Sequence, residues 1–510
     1  MSGNSIDTPF DGPAYKIRPP WRWALALTGL ALAVRLCGLN KSIWTDEGST
    51  LAVLHSANLL EALRNYDHPP LYFLLLKAWS VVSSADPFLR LFSVLLSAAT
   101  VPVVMRWIAY YDCTAAILAG LCVALMPGML ASGHEIRGYS LLLLATAFSF
   151  LEAHRFALHP SWRRALTLAA ALSVAVSTHL AGAILLASVA AYTWMCAPTV
   201  IQRRQQAVQS AVAFALPASC FALIYFVFMS SEVRNRSAAG WWMPRPDAHV
   251  IGGVLSQLTW TRSWVWLKLA WATAHPLASR LALAALALTW LLLLVAMLWG
   301  KWRTASPLLV GAITHNLLLL LYSFIRLPIF GVRTALPSIL CLIGFFCVQG
   351  ATASRRNLRL VAVASSVGLS LASGLIWVSY QAWIPEEPAV TVANVIRQEK
   401  SANDLVLFFP SYVEGLIRHY DTDLASKDIV QGGRMNNALV GEAYDPLDLT
   451  GVAGEIQRLR PHAVFLVSRA DSLAQHSETY EAIRSALAAE LSPATPRQFG
   501  SLWVSRFDEK

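Results

Sequence analysis

The chain has 510 residues, of which 56% are hydrophobic and 14% are charged, and its mean hydropathy is +0.50. Because an average soluble protein is about 25% charged, these values exclude an ordinary soluble domain. They indicate a polytopic membrane protein.

The positive charge belongs to one part of the chain. Residues 381–510 carry 12 Lys and Arg against 18 Asp and Glu, a net charge of −6, whereas the whole chain carries +10. Loops that stay in the cytoplasm are normally rich in Lys and Arg. Membrane topology therefore explains the basic composition, and nucleic acid is not an expected partner. The seven cysteines lie in or beside apolar runs, so no disulfide framework is expected.

Residues 1–21 contain prolines and a few charges but no apolar run that ends in a small-residue cleavage site, so we expect a cytoplasmic N-terminal tail. Residues 22–380 form the expected transmembrane domain, in which apolar runs of roughly 17–22 residues can each cross a hydrocarbon core of about 30 Å. We predict eleven spans, near 22–39, 89–108, 113–131, 138–156, 165–182, 184–198, 208–229, 280–299, 307–325, 334–350 and 359–380. Basic clusters fall on alternate connections, which places the N-terminus inside and the C-terminal part outside.

One segment, from Leu71 to Ser83, decides the parity of this count. It follows His-Pro-Pro and is too short to span comfortably. If it crossed, the basic clusters would face outward. We therefore expect an amphipathic helix on the outer surface, within a long first outer loop at residues 40–88.

Residues 381–510 are predicted to form a soluble extracytoplasmic α/β domain. Strand-like runs lie at 404–410, 462–468 and 501–507, and helical periodicity lies at 412–420 and 472–490. No Gly-rich phosphate loop or metal-spaced set of His and Cys occurs there, so a supporting role is expected.

Ionisable side chains collect on the predicted outer face, from four separate connections. Because such groups near membrane depth tend to face a water-filled cavity or each other, we expect one shared cleft. The ionisable side chains of this cluster are Asp46, Glu47, Asp67, His68, Glu135, Arg137, His179, Arg326 and Arg333.

The outer loop at 230–275 is rich in tryptophan. This composition suits either an ordinary aromatic belt at the headgroups or the entry of a lipid-borne substrate.

Six sequence elements, in order, resemble the GT-C membrane glycosyltransferases. The branch concerned includes protein O-mannosyltransferases, the aminoarabinose transferase of lipid A and RgtA/B/C/D-like transferases. Where many relatives have Arg-Tyr in the last element, this chain has Arg333-Thr334. The elements span roughly residues 20–350 and read WTDEGST, YDHPPLYFLLLKAW, RLFSVLLSAATVPVV, SGHEIRGYSLLLL, STHLAG and PIFGVRTALP.

The resemblance implies a GT-C fold with about 11 transmembrane helices. It also implies transfer of a sugar from a polyprenyl-phosphate donor to a hydroxyl of an envelope glycolipid, glycan or protein, with inversion at the anomeric carbon. The expected location is the inner (cytoplasmic) membrane among its lipids, with the active site on the outer, periplasmic side.

The chemistry needs a base for the acceptor hydroxyl and cations for the leaving phosphate. Asp46 is the candidate base, with Glu47 beside it. Guanidinium groups can bind two phosphate oxygens at once, which favours Arg137 and Arg333. The other candidates for binding the donor are His68, Glu135, His179 and Arg326, with Asp67, Tyr72 and Tyr139 as secondary contributors.

Each candidate also has a structural interpretation. The two adjacent acids can cap the helix that begins near Gly48, and Glu135 with Arg137 can form an ion pair that secures a loop. His68 can mark a turn, His179 can be a structural hydrogen-bonding group, and Arg333 can extend to the interface. Arg35, inside the first span, is interpreted as structural.

The acids and His179 could ligate a divalent cation if they converge. Because the arginines can replace such a cation, we expect no obligatory metal.

Two other functions stay open, a secondary transporter or lipid flippase, and a membrane-anchored scaffold or sensor. Transporters usually place substrate groups near the bilayer midplane and often contain internal repeats. The acids here lie near one surface, and no repeat is evident.

Overall fold

The protein is described here from a computed structural model that covers residues 20–64, 66, 68–197, 207–229, 245–263, 275–383, 388–401, 404–409, 413–421, 457, 460–470 and 477–510. The predicted N-terminal tail up to residue 19, Asp67 and most of the tryptophan-rich loop lie outside these residues.

Helices follow the apolar runs of the sequence. Those before the C-terminal part are α1 (Trp21–Leu36), α2 (Thr45–Leu54), α3 (Leu59–Arg64), α4 (Leu71–Ser80), α5 (Asp86–Ile108), α6 (Cys113–Leu125), α7 (Pro127–His134), α8 (Tyr139–Leu158), α9 (Trp162–Thr178), α10 (Ala181–Cys196), α11 (Ala207–Ile224, continued by a π turn at Tyr225–Met229), α12 (Ala248–Leu258), α13 (Pro276–Met297), α14 (Trp302–Ile325), α15 (Val332–Ala351) and α16 (Arg356–Trp383).

Seven of the described helices are long and apolar enough to cross a membrane, namely α5, α8, α11 with its π turn, α13, α14, α15 and α16. The pair α6 and α7, bent by 50°, would make an eighth span. The remaining predicted spans fall on α1, α9 and α10, which have 16, 17 and 16 residues. The chain is thus a polytopic α-helical membrane protein.

The predicted span at 113–131 contains a break between α6 and α7. Pro127 is the first residue of α7 and has no N–H to continue the ladder of α6. Arg35, which is fully buried, donates hydrogen bonds to the carbonyls of Val123 (2.8 Å), Ala124 (2.7 Å) and Met129 (3.3 Å). These bonds satisfy carbonyls at the break, which confirms the structural interpretation of Arg35.

Among its described residues, the first loop has three short helices, α2 to α4. The ten residues of α4 extend only about 15 Å, so this helix is too short to span. Its buried side chains are Tyr72, Phe73 and Leu76, whereas Leu74 and Leu75 are exposed.

The described residues of the C-terminal part form three helices, α17 (Ala389–Glu399), α18 (Val413–Tyr420) and α19 (Ser477–Glu490), and a five-stranded sheet. Its strands are β1 (Leu405–Phe409), β2 (Ala463–Arg469), β3 (Leu491–Pro493), β4 (Arg497–Phe499) and β5 (Leu502–Glu509). β1 pairs with β2 in parallel, and β5 pairs antiparallel with β2, β3 and β4. The three predicted strands correspond to β1, β2 and β5, so the α/β prediction is confirmed.

Two large apolar cores organise the molecule. One lies among the membrane helices, and the other joins the first loop to the C-terminal sheet. In the second core, Leu51 and Leu54 of α2 belong to the same cluster as Leu416 and Ile417 of α18. The C-terminal part therefore packs directly on the loop that carries the candidate acids.

Candidate active site

The turn that leads into α2 is held by Arg90, which reaches it from α5. The Arg90 guanidinium donates to the carbonyls of Leu39 (2.9 Å) and Ser42 (3.0 Å), and it also contacts the carbonyl of Lys41. The same group donates to both carboxylate oxygens of Glu47, at 3.0 and 2.5 Å. Both side chains are buried, with 3% and 1% exposure.

The carboxylate of Glu47 accepts two further hydrogen bonds from the backbone. They come from the N–H of Trp44 (3.1 Å) and the N–H of Ile136 (2.9 Å). The bond from Trp44 caps the first turn of α2, and the bond from Ile136 ties this turn to the loop before α8. Glu47 thus joins two loops and has donors on both oxygens.

The side chain of Asp46 meets Arg333, which lies in the first turn of α15. Oδ2 of Asp46 and Nη1 of Arg333 form an ion pair, although their geometry does not meet that of a hydrogen bond. Both side chains are partly exposed, at 27% and 38%. A carboxylate and a guanidinium from opposite ends of the membrane domain sequence therefore meet where both side chains are partly exposed. We call the partly exposed space around these two side chains the cleft.

Two aromatic rings flank Arg333. Its guanidinium carbon lies 5.0 Å from the centre of the Trp44 ring and 5.6 Å from that of Tyr139. Cations so placed are attracted to the faces of aromatic rings. Arg333 thus has aromatic neighbours from two other parts of the chain, although the residue after it is threonine.

Thr334 has a local structural role instead. Its hydroxyl accepts from the N–H of Gly331 (3.1 Å) and donates to the carbonyl of Ile329 (2.6 Å). Nε2 of His315, on α14, lies 2.9 Å from the carbonyl of Thr334 and donates to it. These contacts fix the start of α15, where Arg333 lies.

Arg137 is buried and connects several parts of the first loop. Its Nη1 donates to the Tyr66 hydroxyl (2.7 Å), to Oγ1 of Thr50 (3.2 Å) and to the backbone carbonyl of Asp46 (3.2 Å). Nη2 lies 3.2 Å from Nε2 of His68. Since arginine can only donate, that nitrogen of His68 is the acceptor.

The carboxylate of Glu135 differs from that of the nearby Glu47 in its hydrogen-bond donors. No described residue donates a hydrogen bond to its carboxylate, and the interpretation of a Glu135–Arg137 ion pair is not supported within the described chain. Burial raises the pKa of Glu135 to about 7, as do the charges of Glu47 and Asp46, whereas Arg333 and Arg262 oppose the shift. Glu135 therefore exchanges a proton near neutral pH.

His179 ends α9 and is buried. Its Nδ1 accepts a hydrogen bond from the N–H of Ala181 (3.1 Å), which starts α10. The ring also lies 5.3 Å from that of His68 and 5.6 Å from that of Tyr139. These contacts give His179 a structural position beside the cleft.

Two other candidates lie apart from these contacts. Arg326 is exposed at the end of α14, and within the described residues its side chain contacts none of the acids. Tyr72 is buried in the first-loop core, where its hydroxyl lies 3.0 Å from Oγ of Ser93.

Four residues of the site were missed by sequence reasoning: Arg90, Trp44, Tyr66 and Arg262. Arg90 had a visible signal, because an arginine inside an apolar run is costly and needs a partner. Arg262 follows α12, and its charge acts on Glu135 and Arg333. Trp44 and Tyr66 had no signal beyond their nearness to the acidic and histidine motifs.

Among the described residues, no group of three or more His, Cys, Asp and Glu is arranged to hold a metal ion. Asp46 and Glu135 instead share their cleft with arginines.

Comparison with known proteins shows the fold. No family model and no curated protein matches the sequence. The crystal structure of ArnT from Cupriavidus metallidurans in the apo state is similar, with a TM-score of 0.61 and 15% identity over 95% of this chain and 98% of that one. An Archaeoglobus fulgidus oligosaccharyltransferase in complex with Zn and sulfate has a TM-score of 0.54 and 11% identity, covering 92% of this chain and 71% of that one. These similarities establish the same architecture at low sequence identity.

Proposed function

We propose that this chain, which has the GT-C fold, is an inverting glycosyltransferase. It would transfer a sugar from a polyprenyl-phosphate donor to a hydroxyl of an envelope glycolipid, glycan or protein. The observation that supports this most directly is the partly exposed pairing of Asp46, at the start of the loop helix α2, with Arg333, at the start of α15, next to the Glu135 carboxyl. We place this cleft on the outer face of the inner membrane.

The reaction assigns one role to each charged group. The acceptor hydroxyl passes its proton to the carboxylate of Asp46 as its oxygen attacks the anomeric carbon. The bond from that carbon to the phosphate oxygen breaks on the opposite side, which inverts the configuration. The electron pair stays with the polyprenyl phosphate, where the charge is stabilised by the guanidinium of Arg333.

Arg137 and Glu47 hold the base in place in this mechanism. Arg137 donates to the backbone carbonyl of Asp46. The carboxylate of Glu47 accepts from the N–H of Trp44 and so closes the turn that contains Asp46. Since both side chains are buried and already bonded, we assign them positioning roles and leave proton abstraction to Asp46.

Glu135 is the second acid of the cleft. With a pKa of about 7 it can accept or donate a hydrogen bond at neutral pH. We propose that it binds a sugar hydroxyl of the donor or acceptor.

The arginines supply the positive charge that a phosphate leaving group needs. We therefore propose that no divalent cation is obligatory.

The rival functions predict different behaviour. A transporter or flippase would move its substrate between compartments, and a scaffold would tolerate loss of the acid. The described acids of the cleft lie at helix ends, which favours chemistry at the membrane surface.

The test is transfer of a labelled sugar from polyprenyl-phosphate sugar to a mixture of envelope acceptors, with purified protein in liposomes. Asp46→Asn should reduce the rate by at least about a hundredfold, because general base catalysis contributes about 10²–10⁴. Glu152→Gln is the matched control, since that acid pairs with Arg155 (2.5 Å) near the opposite end of α8. Normal transfer by Asp46→Asn would contradict the mechanism, and transbilayer movement without transfer would favour a transporter.

A further inference from the structure

The C-terminal helix α18 lies against α2 at very close range. A Cβ atom placed on Gly48, two residues after Asp46, would be 3.2 Å from both N and Cα of Leu416. That separation is tighter than ordinary van der Waals contact, and a backbone cannot move aside as a flexible side chain can. The glycine in the acidic motif thus permits the approach of a helix more than 360 residues later.

Tyr420 carries a polar connection across the same interface. Its hydroxyl accepts a hydrogen bond from the N–H of Ile43 (2.7 Å) and donates one to Oδ2 of Asp86 (2.9 Å). Nε2 of His419 lies 2.6 Å from the other oxygen of Asp86 and donates to it. Asp86 is the first residue of α5, so Tyr420 joins the C-terminal part to both the first loop and a membrane helix.

The N–H of Ile43, which Tyr420 binds, lies in the backbone turn that leads to Asp46 and Glu47. Arg90 holds the carbonyls of Leu39 and Ser42 just before it, and Glu47 holds the N–H of Trp44 just after it. The backbone from residue 39 to 47 is therefore fixed at successive peptide groups. At Ile43, the C-terminal part supplies the partner.

We propose that Tyr420 is a positioning residue for Asp46, acting through the N–H of Ile43. The C-terminal part is then a component of the catalytic unit, because it sets the backbone from which the base projects. This inference rests on the proposed glycosyltransferase function, but the hydrogen bond between Tyr420 and the N–H of Ile43 can be tested independently of activity.

The test compares Tyr420→Phe with Tyr480→Phe in the full chain. Tyr480 is the matched control, because its hydroxyl lies 3.3 Å from Oγ of Ser505 within the C-terminal part and does not contact α2 in the described structure. Hydrogen exchange of the peptide that covers residues 39–47 reports the Ile43 N–H directly. Steady-state transfer of sugar from polyprenyl-phosphate sugar reports kcat and KM.

We expect Tyr420→Phe to accelerate exchange at residues 39–47 and to reduce kcat about tenfold while the donor KM changes less than about twofold, since the bonds of the hydroxyl to Ile43 and Asp86 are lost and donor contacts are kept. Tyr480→Phe should change neither quantity. Unchanged exchange in Tyr420→Phe would overturn the proposal, as would a kcat equal to that of the wild type. If the wild type transfers no sugar, the proposed function fails, but the exchange measurement still decides whether Tyr420 holds this turn.

A second pair of variants covers the case in which Tyr420→Phe does not accumulate in the membrane. Gly48→Ala should push α2 away from Leu416, lower kcat and accelerate exchange at residues 39–47. Gly368→Ala, on α16, is the control, because a Cβ atom there meets nothing within 4 Å. Wild-type kcat and exchange in Gly48→Ala would also overturn the proposal.

Discussion

Arg333 forms an ion pair with Asp46 while its guanidinium carbon lies 5.0 Å from the centre of the Trp44 ring and 5.6 Å from that of Tyr139. The guanidinium neutralises the charge of the candidate base. A donor phosphate that binds Arg333 would compete with Asp46 for the guanidinium and leave the carboxylate available to accept a proton.

Arg333→Lys tests the shape of this cation. Lysine keeps the charge but loses the planar group that stacks on aromatic rings and binds two oxygens. We expect kcat to fall about a hundredfold, as for the loss of one donor in a charge-stabilising site, and the donor KM to rise. The measurement is steady-state transfer over a range of donor concentrations. Arg303→Lys, an exposed position in α14, should behave as the wild type, and a fully active Arg333→Lys would argue against bidentate binding.

The buried pair of Arg90 and Glu47 should dominate the stability of the first loop. Arg90→Met leaves the Glu47 carboxylate buried without its cation, a change that typically destabilises by about 3–5 kcal/mol. Arg484→Met removes an exposed pair with Glu481 (3.1 Å), which is worth about 0–1 kcal/mol. Thermal unfolding in detergent compares the two variants. Equal midpoints would mean that the buried pair does not stabilise the fold.

Glu135 should make stability depend on pH. Its pKa in the folded protein, about 7, lies above its ordinary value of 4.5, so the folded state binds more protons than the unfolded state between these values. Its contribution to stability is therefore lost as pH rises from about 4.5 to 7. Glu135→Gln should remove this slope, so that the variant gains thermal stability relative to the wild type at pH 8 but not at pH 4. Parallel profiles of thermal stability against pH for the wild type and Glu135→Gln would contradict a raised pKa of Glu135.

Transfer should persist after treatment with EDTA, because arginines rather than a divalent cation are proposed to stabilise the leaving phosphate. The measurement is the initial rate before and after dialysis against the chelator. Loss of transfer that Mg²⁺ or Mn²⁺ restores would show that a cation is required.

The sequence predicts the architecture well because apolar length and strand periodicity are local properties. The helices and the strands β1, β2 and β5 were accessible in this way. The strands β3 and β4 were not, since three residues each carry too short a pattern. The break after Leu125 was missed although Pro127 marks it, because the apolar run continues through the proline.

The site was predictable only in part. The order of the motifs places Asp46, Arg137 and Arg333 together, and the structure brings these three into contact. The order of the motifs does not distinguish Asp46 from Glu47, because these two acids are adjacent in sequence. Their difference comes from Arg90 and Ile136, whose donors occupy one carboxylate and leave the other facing the cleft. Although an arginine inside an apolar run is a visible signal, no local pattern shows which of the two acids it binds.

The apolar core shared by α2 and α18 limits how the gene can be recombined. A chimera that exchanges only the C-terminal part with that of a distant homologue would set a foreign surface against Gly48, Leu51 and Ile43. Residues 39–54 and 388–510 should therefore be transplanted as one unit. Transplanted together, these two segments would keep the packing of α2 against α18.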